Sequence, residues 1–102
     1  MGAKAKFQKA LDYECLSAES LFNDYHAEPI RSVLYRSAAS LALICEEYRE
    51  AERLIATALC GDPPDEIANE LRVLLQQVYS HLIQSTLQPF LPHESHTPTF
   101  AS

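Results

Sequence analysis

The residues of this chain with the most chemical potential are its histidines, its cysteines and a cluster of carboxylates. His93 and His96 flank Glu94 in the run His93-Glu94-Ser95-His96. Imidazole and carboxylate are good zinc ligands. Here they sit three residues apart in a tail with Pro89, Pro92 and Pro98 and no cysteine nearby, which reads as a solvated end and not as a metal site. Cys15, Cys45 and Cys60 have no neighbouring histidine to lower their pKa. Cys60 falls at a helix C-terminus, whose negative end disfavours a thiolate. Glu46, Glu47, Glu50 and Glu52 gather at a turn, but catalytic carboxylates need burial to separate their pKa values, and this pattern reads as exposed. With only Gly2 and Gly61, the chain lacks the glycines of a phosphate-binding loop. No catalytic residue, cofactor or metal is therefore expected, and the chain reads as non-enzymatic.

Charge narrows the class further. The net charge of −6 argues against direct nucleic-acid binding, which needs cations against phosphates. All three lysines (Lys4, Lys6, Lys9) precede an acidic body, and from Val73 onward the only charged residue is Glu94. No apolar run follows the basic start as in a secretory signal, and none reaches the length of a membrane span. An odd number of widely spaced cysteines suits small buried residues in a reducing cytoplasm better than a disulfide framework.

The elements that must position any site are helical. Ala, Leu and Glu abound, and β-branched residues are sparse. Phe7, Leu11, Cys15, Ala18, Phe22 and Tyr25 follow one another at threes and fours, so a first helix is predicted from about Lys4 to Ala27, stopped by Pro29. Leu34, Ala38, Leu41, Cys45 and Tyr48 mark a second, from Ile30 to about Glu46. Ala38, Ala39 and Ala42 make it slim enough for close packing, hence central. Ala51, Leu54, Ile55, Ala58 and Leu59 continue the same spacing, and with no glycine or proline in Glu46-Glu47-Tyr48 the periodicity alone allows one long helix. The turn there, and a third helix from about Arg49 to Leu59, are implied instead by the repeat pattern described below. Gly61 suits the left-handed position that closes a helix. Asp62 and Pro63 suit the cap and first position of the next helix, and Asp65 and Glu66 favour its positive end. Ile67, Leu71, Leu74, Val78 and Leu82 form the stripe of that fourth helix, which should end before Pro89. One helical domain over 1–88 and an extended tail over 89–102 are predicted.

Pro29 and Pro63 lie 34 residues apart, each after an acid, which is the period of tetratricopeptide repeats. Ser32 to Asp65 resembles one such repeat. Tyr35 stands at the family's large aromatic position and Ala39 at its small one. Tyr48, Ala51, Ala58 and Pro63 match the aromatic before the second helix, two small packing positions and the terminal proline. Ala38, Ala42 and Glu46 depart from the pattern, the last standing where the family has its turn glycine. The repeat continues neither backward nor forward, so one hairpin with a helix on each side is implied. The run from Leu34 to Val78 also resembles small cyanobacterial helical proteins of unassigned function.

The expected fold is all-α, an antiparallel bundle of about four helices containing a tetratricopeptide-like hairpin. The expected function is protein–protein interaction, as an adaptor or assembly factor. The alternative is an acidic protein that inhibits a nucleic-acid-binding or nuclease partner through Glu46, Glu47, Glu50 and Glu52. Arg31, Arg36, Arg72, Tyr79 and Ile83 are the candidate partner contacts. The apolar surplus of the fourth helix, with no Lys or Arg beyond Arg72, points to a second copy of the chain as one partner.

Overall fold

The computed structural model describes residues 3–87, and the tail over 89–102, with its histidine pair, lies outside the described residues. Four helices follow one another: α1 (Ala3–Glu19), α2 (Ile30–Ile44), α3 (Tyr48–Leu59) and α4 (Asp65–Leu87). There is no strand among the described residues. The bundle of about four helices is thus the fold. Among the helices, α1 packs on α2, with Arg53 of α3 reaching Glu19 at its end (3.7 Å), whereas α4 packs on both α3 and α2. The arrangement is an open stack.

The seam between α2 and α3 is built from small residues. Ala38, Ala39 and Ala42 on α2 and Ala51 and Ala58 on α3 are fully buried, with Tyr35, Leu54 and Ile55 filling the space around them. Alanine costs little conformational entropy in a helix and holds two backbones close, so propensity and packing agree here. Leu11 and Ala18 close the core from α1, and Ala68, Leu71 and Val78 close it from α4.

α2 ends without glycine. The Glu47 amide donates to the Ala42 carbonyl (2.8 Å) and the Glu46 amide to that of Leu43 (3.0 Å). That pair of bonds is a Schellman motif, which requires a left-handed residue between them. Glu46 supplies it, at φ 61°.

Two expected boundaries shift. α1 stops at Glu19, not near Ala27, and residues 20–27 form tight turns, with the amides of Leu21, Phe22 and Asp24 bonding three residues back. Phe22 and Tyr25, expected on the buried stripe, are about half exposed. α4 starts at Asp65, two residues beyond Pro63, with the Ala68 amide on the Pro64 carbonyl (2.8 Å). Asp62 therefore sits too far upstream to cap it. Gly61 is not left-handed, and its role is a different one.

Candidate interaction surface

Of the five residues expected at a partner contact, Arg31 is not at the surface. It is 1% exposed. Its Nε donates to the carbonyls of Leu21 (3.1 Å) and Phe22 (3.2 Å), and its Nη2 to those of Phe22 (3.1 Å) and Thr57 (3.3 Å). The guanidinium also lies over the rings of Tyr25 (4.9 Å) and Tyr35 (5.1 Å). Leu21 and Phe22 follow the end of α1, and Thr57 is in the last turn of α3. Unpaired carbonyls gather at helix C-termini, where the helix dipoles are negative. One cation therefore serves two helix ends, and no carboxylate pairs with it among the described residues. This arrangement also explains why α1 is short. The Phe22 carbonyl, which a longer helix would have given to the amide four residues on, faces Arg31 instead, and the Leu21 carbonyl is shared between Arg31 and the Asp24 amide.

Gly61 belongs to the same corner. A Cβ at this position would stand 2.3 Å from Arg31 Nη1 and 3.1 Å from its Cζ. The guanidinium cannot swing aside without giving up its carbonyls and its two aromatic rings. The glycine makes room for the arginine.

Arg36 and Glu70 form an ion pair between α2 and α4. They are 34 residues apart, the same interval as the two prolines. With Ser40, Asn69, Val73 and Leu74 they line a cleft of about 370 Å³. Arg72, on the exposed side of α4, donates to the Asn69 side chain (3.3 Å) and holds that amide at the rim. Val73 is 54% exposed, an apolar side chain left open at the cleft. The charges at the mouth are matched, so the site offers an apolar surface edged by an amide, a hydroxyl and a neutralised pair. Ser40, Asn69, Glu70 and Val73 were not legible as site residues, because their grouping depends on α4 lying against α2. The 34-residue interval from Arg36 to Glu70 was the one signal that linked two of them.

Tyr79 and Ile83 lie elsewhere. Tyr79 edges a broader depression of about 750 Å³ between α3 and α4, with Arg49, Arg53, Leu59, Cys60 and Leu75. Ile83 is half exposed near the C-terminal end of α4. Between them on the sequence, His81 stacks flat on Tyr48, with centroids 4.4 Å apart. The five expected contacts thus fall into a buried corner, a cleft and a separate stretch of α4.

The acidic turn is partly neutralised. Glu50 pairs with Arg53, which also reaches Glu19 (3.7 Å), and Glu46 lies 3.8 Å from Lys4. The hydrogen bonds that Arg53 donates to the Glu50 carboxylate raise the Arg53 pKa. On α1, burial raises the Cys15 thiol pKa, with Glu50 and Glu19 adding to the effect. Cys45 is buried and Cys60 exposed, and all three thiols are free. Among the described residues, no three His, Cys, Asp or Glu side chains come together as a metal site, and no helix is long and apolar enough to cross a membrane. The chain matches no protein-family model, no curated protein and no solved structure.

Proposed function

We propose that this chain is a non-enzymatic protein-interaction module that holds an extended segment of a partner protein in the cleft between α2 and α4. The observation that carries the reading is the cleft's composition. Val73 offers an apolar seat, and the Ser40 hydroxyl and Asn69 amide can exchange hydrogen bonds with a peptide backbone, which always presents both donors and acceptors. The Arg36–Glu70 pair leaves no net charge to select a nucleic acid, in keeping with the overall charge of −6. The α2–α3 hairpin is read as a tetratricopeptide-like repeat. Full burial of Tyr35, Ala39, Ala51 and Ala58 supports that reading, as does a left-handed residue where the family has its turn glycine. The cytoplasm is the proposed compartment, supported by three free thiols.

Selection from a display library of random peptides, with the folded protein as bait, tests the proposal. Enriched peptides should share an apolar residue and lose binding at least tenfold to Val73→Asp, with helicity unchanged. Peptides that bind Val73→Asp as well as the parent would overturn it.

A further inference from the structure

The C-terminal part of α4 is a different surface from the cleft. α4 has 23 residues and α3 has 12, so at about 1.5 Å per residue α4 is roughly 16 Å the longer. Tyr48, the first residue of α3, stacks on His81. Residues 82–87 therefore reach past the start of the helix they are packed against, about 9 Å of helix. Leu82 still touches the core, but Ile83 is 54% exposed and Tyr79, one turn earlier, is 42% exposed.

Charge decides what fits there. From Val73 to Leu87 there is no Asp, Glu, Lys or Arg. The exposed side chains of this stretch through residue 84 are Val73, Gln76, Gln77, Tyr79, Ser80, His81, Ile83 and Gln84. The outer faces of α1 and α3 are charged at nearly every turn. α1 presents Lys4, Lys6, Lys9, Asp12 and Glu19, and α3 presents Arg49 and Arg53 beside Glu50 and Glu52. A two-fold contact sets each surface against its own copy, so like charges meet wherever the surface carries one sign near the axis. The end of α4 carries no charge of its own, and the α3 charges beside Tyr79, Arg49 and Arg53 with Glu50 and Glu52, are of both signs, so it escapes that penalty.

We infer that two copies of this chain associate through antiparallel α4 helices, with Tyr79 of each against Ile83 of the other. With the axis crossing α4 at the level of residue 81, on the face opposite His81, residues 79 and 83 exchange places, which sets an aromatic ring on a branched aliphatic side chain in both halves of the contact. Residue 76 falls opposite residue 86, uncharged on both sides. The footprint is a few helical turns, well below the roughly 800 Å² per partner of a standard interface, so the dimer is weak and depends on concentration. This contact does not rest on the cleft reading, since Arg36, Ser40 and Asn69 take no part in it.

Sedimentation equilibrium of the full chain across a hundredfold dilution series tests the inference. The expected result is a monomer–dimer equilibrium that Tyr79→Glu and Ile83→Glu each shift at least tenfold toward monomer, with unchanged helicity because both residues are exposed. The double variant Tyr79→Glu/Ile83→Lys sets opposite charges across the axis and should recover the dimer. A monomer at every concentration would overturn the inference. So would a dimer that survives both single variants, or one that Leu16→Glu on the outer face of α1 abolishes instead. A double variant as monomeric as Tyr79→Glu alone would refute the antiparallel pairing.

Discussion

The α2–α3 and α3–α4 turns solve the same problem, reversing the chain between packed helices, with opposite use of glycine. The first has no glycine and turns through Glu46 at φ 61°. The second has Gly61, which is not left-handed and gives up its side chain so that Arg31 can lie against it. A glycine can answer a need for backbone freedom or a need for space, and these have different consequences on mutation. The first strains a local conformation. The second couples the turn to a residue thirty positions away.

The largest effects are expected at the buried corner. Arg31→Ala would leave the carbonyls of Phe22 and Thr57 without their buried donor and open a cavity, destabilising the fold by about 3 kcal/mol or more. Gly61→Ala should cost about 1–3 kcal/mol, the range for overpacking. If space alone requires the glycine, the Gly61→Ala penalty should vanish in an Arg31→Ala background, which a double-mutant cycle by urea unfolding measures. A penalty that persisted there would return Gly61 to an ordinary backbone role and end the contrast between the turns.

The next effect belongs to the seam that the Glu46 turn closes. Ala51, on α3, is fully buried. Ala51→Leu should destabilise by about 1–3 kcal/mol, because α3 cannot back away from α2 without opening the core. An unchanged urea midpoint would mean that the helices are not in close contact at this point.

A smaller effect of opposite sign is expected at Glu46. A left-handed conformation costs a non-glycine residue roughly 1–2 kcal/mol, and glycine's greater freedom in the unfolded chain takes back part of the gain. Glu46→Gly should therefore stabilise by about 0.5–1 kcal/mol, read as a raised unfolding midpoint. The ion pair lost with it, Lys4–Glu46, is exposed on both sides and offsets little.

The smallest effect separates the thiols. Cys60, beside Gly61, is exposed and should react first with a thiol reagent, against the expectation that all three are buried. Cys45 should react only on unfolding. Cys15 should need a more alkaline pH than a free thiol, because burial holds its proton. Burial likewise raises the pKa of the Tyr35 phenol. Both groups bind their protons more tightly in the folded state, so their contribution to stability is complete below the ordinary values of 9.0 and 10.0 and is lost as pH rises beyond them. Urea midpoints measured across that range should fall, and Cys15→Ser should remove the earlier part of the fall.

What the sequence determined by itself is what a short window of residues controls. Helical periodicity fixed that the elements are helices, Pro29 and the Gly61-Asp62-Pro63-Pro64 run marked two of the breaks between them, and the runs of alanine marked the α2–α3 seam, because side-chain spacing and size act within one or two turns of helix; nothing local marked the turn at Glu46. The tertiary structure decided everything that joins distant residues. Arg31 and Arg36 are two arginines five residues apart on one helix, equally eligible for the surface by type. One is buried because two helix ends and two tyrosine rings converge on it, and the other edges a cleft because Glu70 of α4 comes to meet it. The length of α1 was set in the same way, by carbonyls that Arg31 claims from outside the helix. The role of Gly61 was fixed by an atom from residue 31. Periodicity is a property of one helix, whereas burial, capping and the grouping of a site are properties of how helices meet.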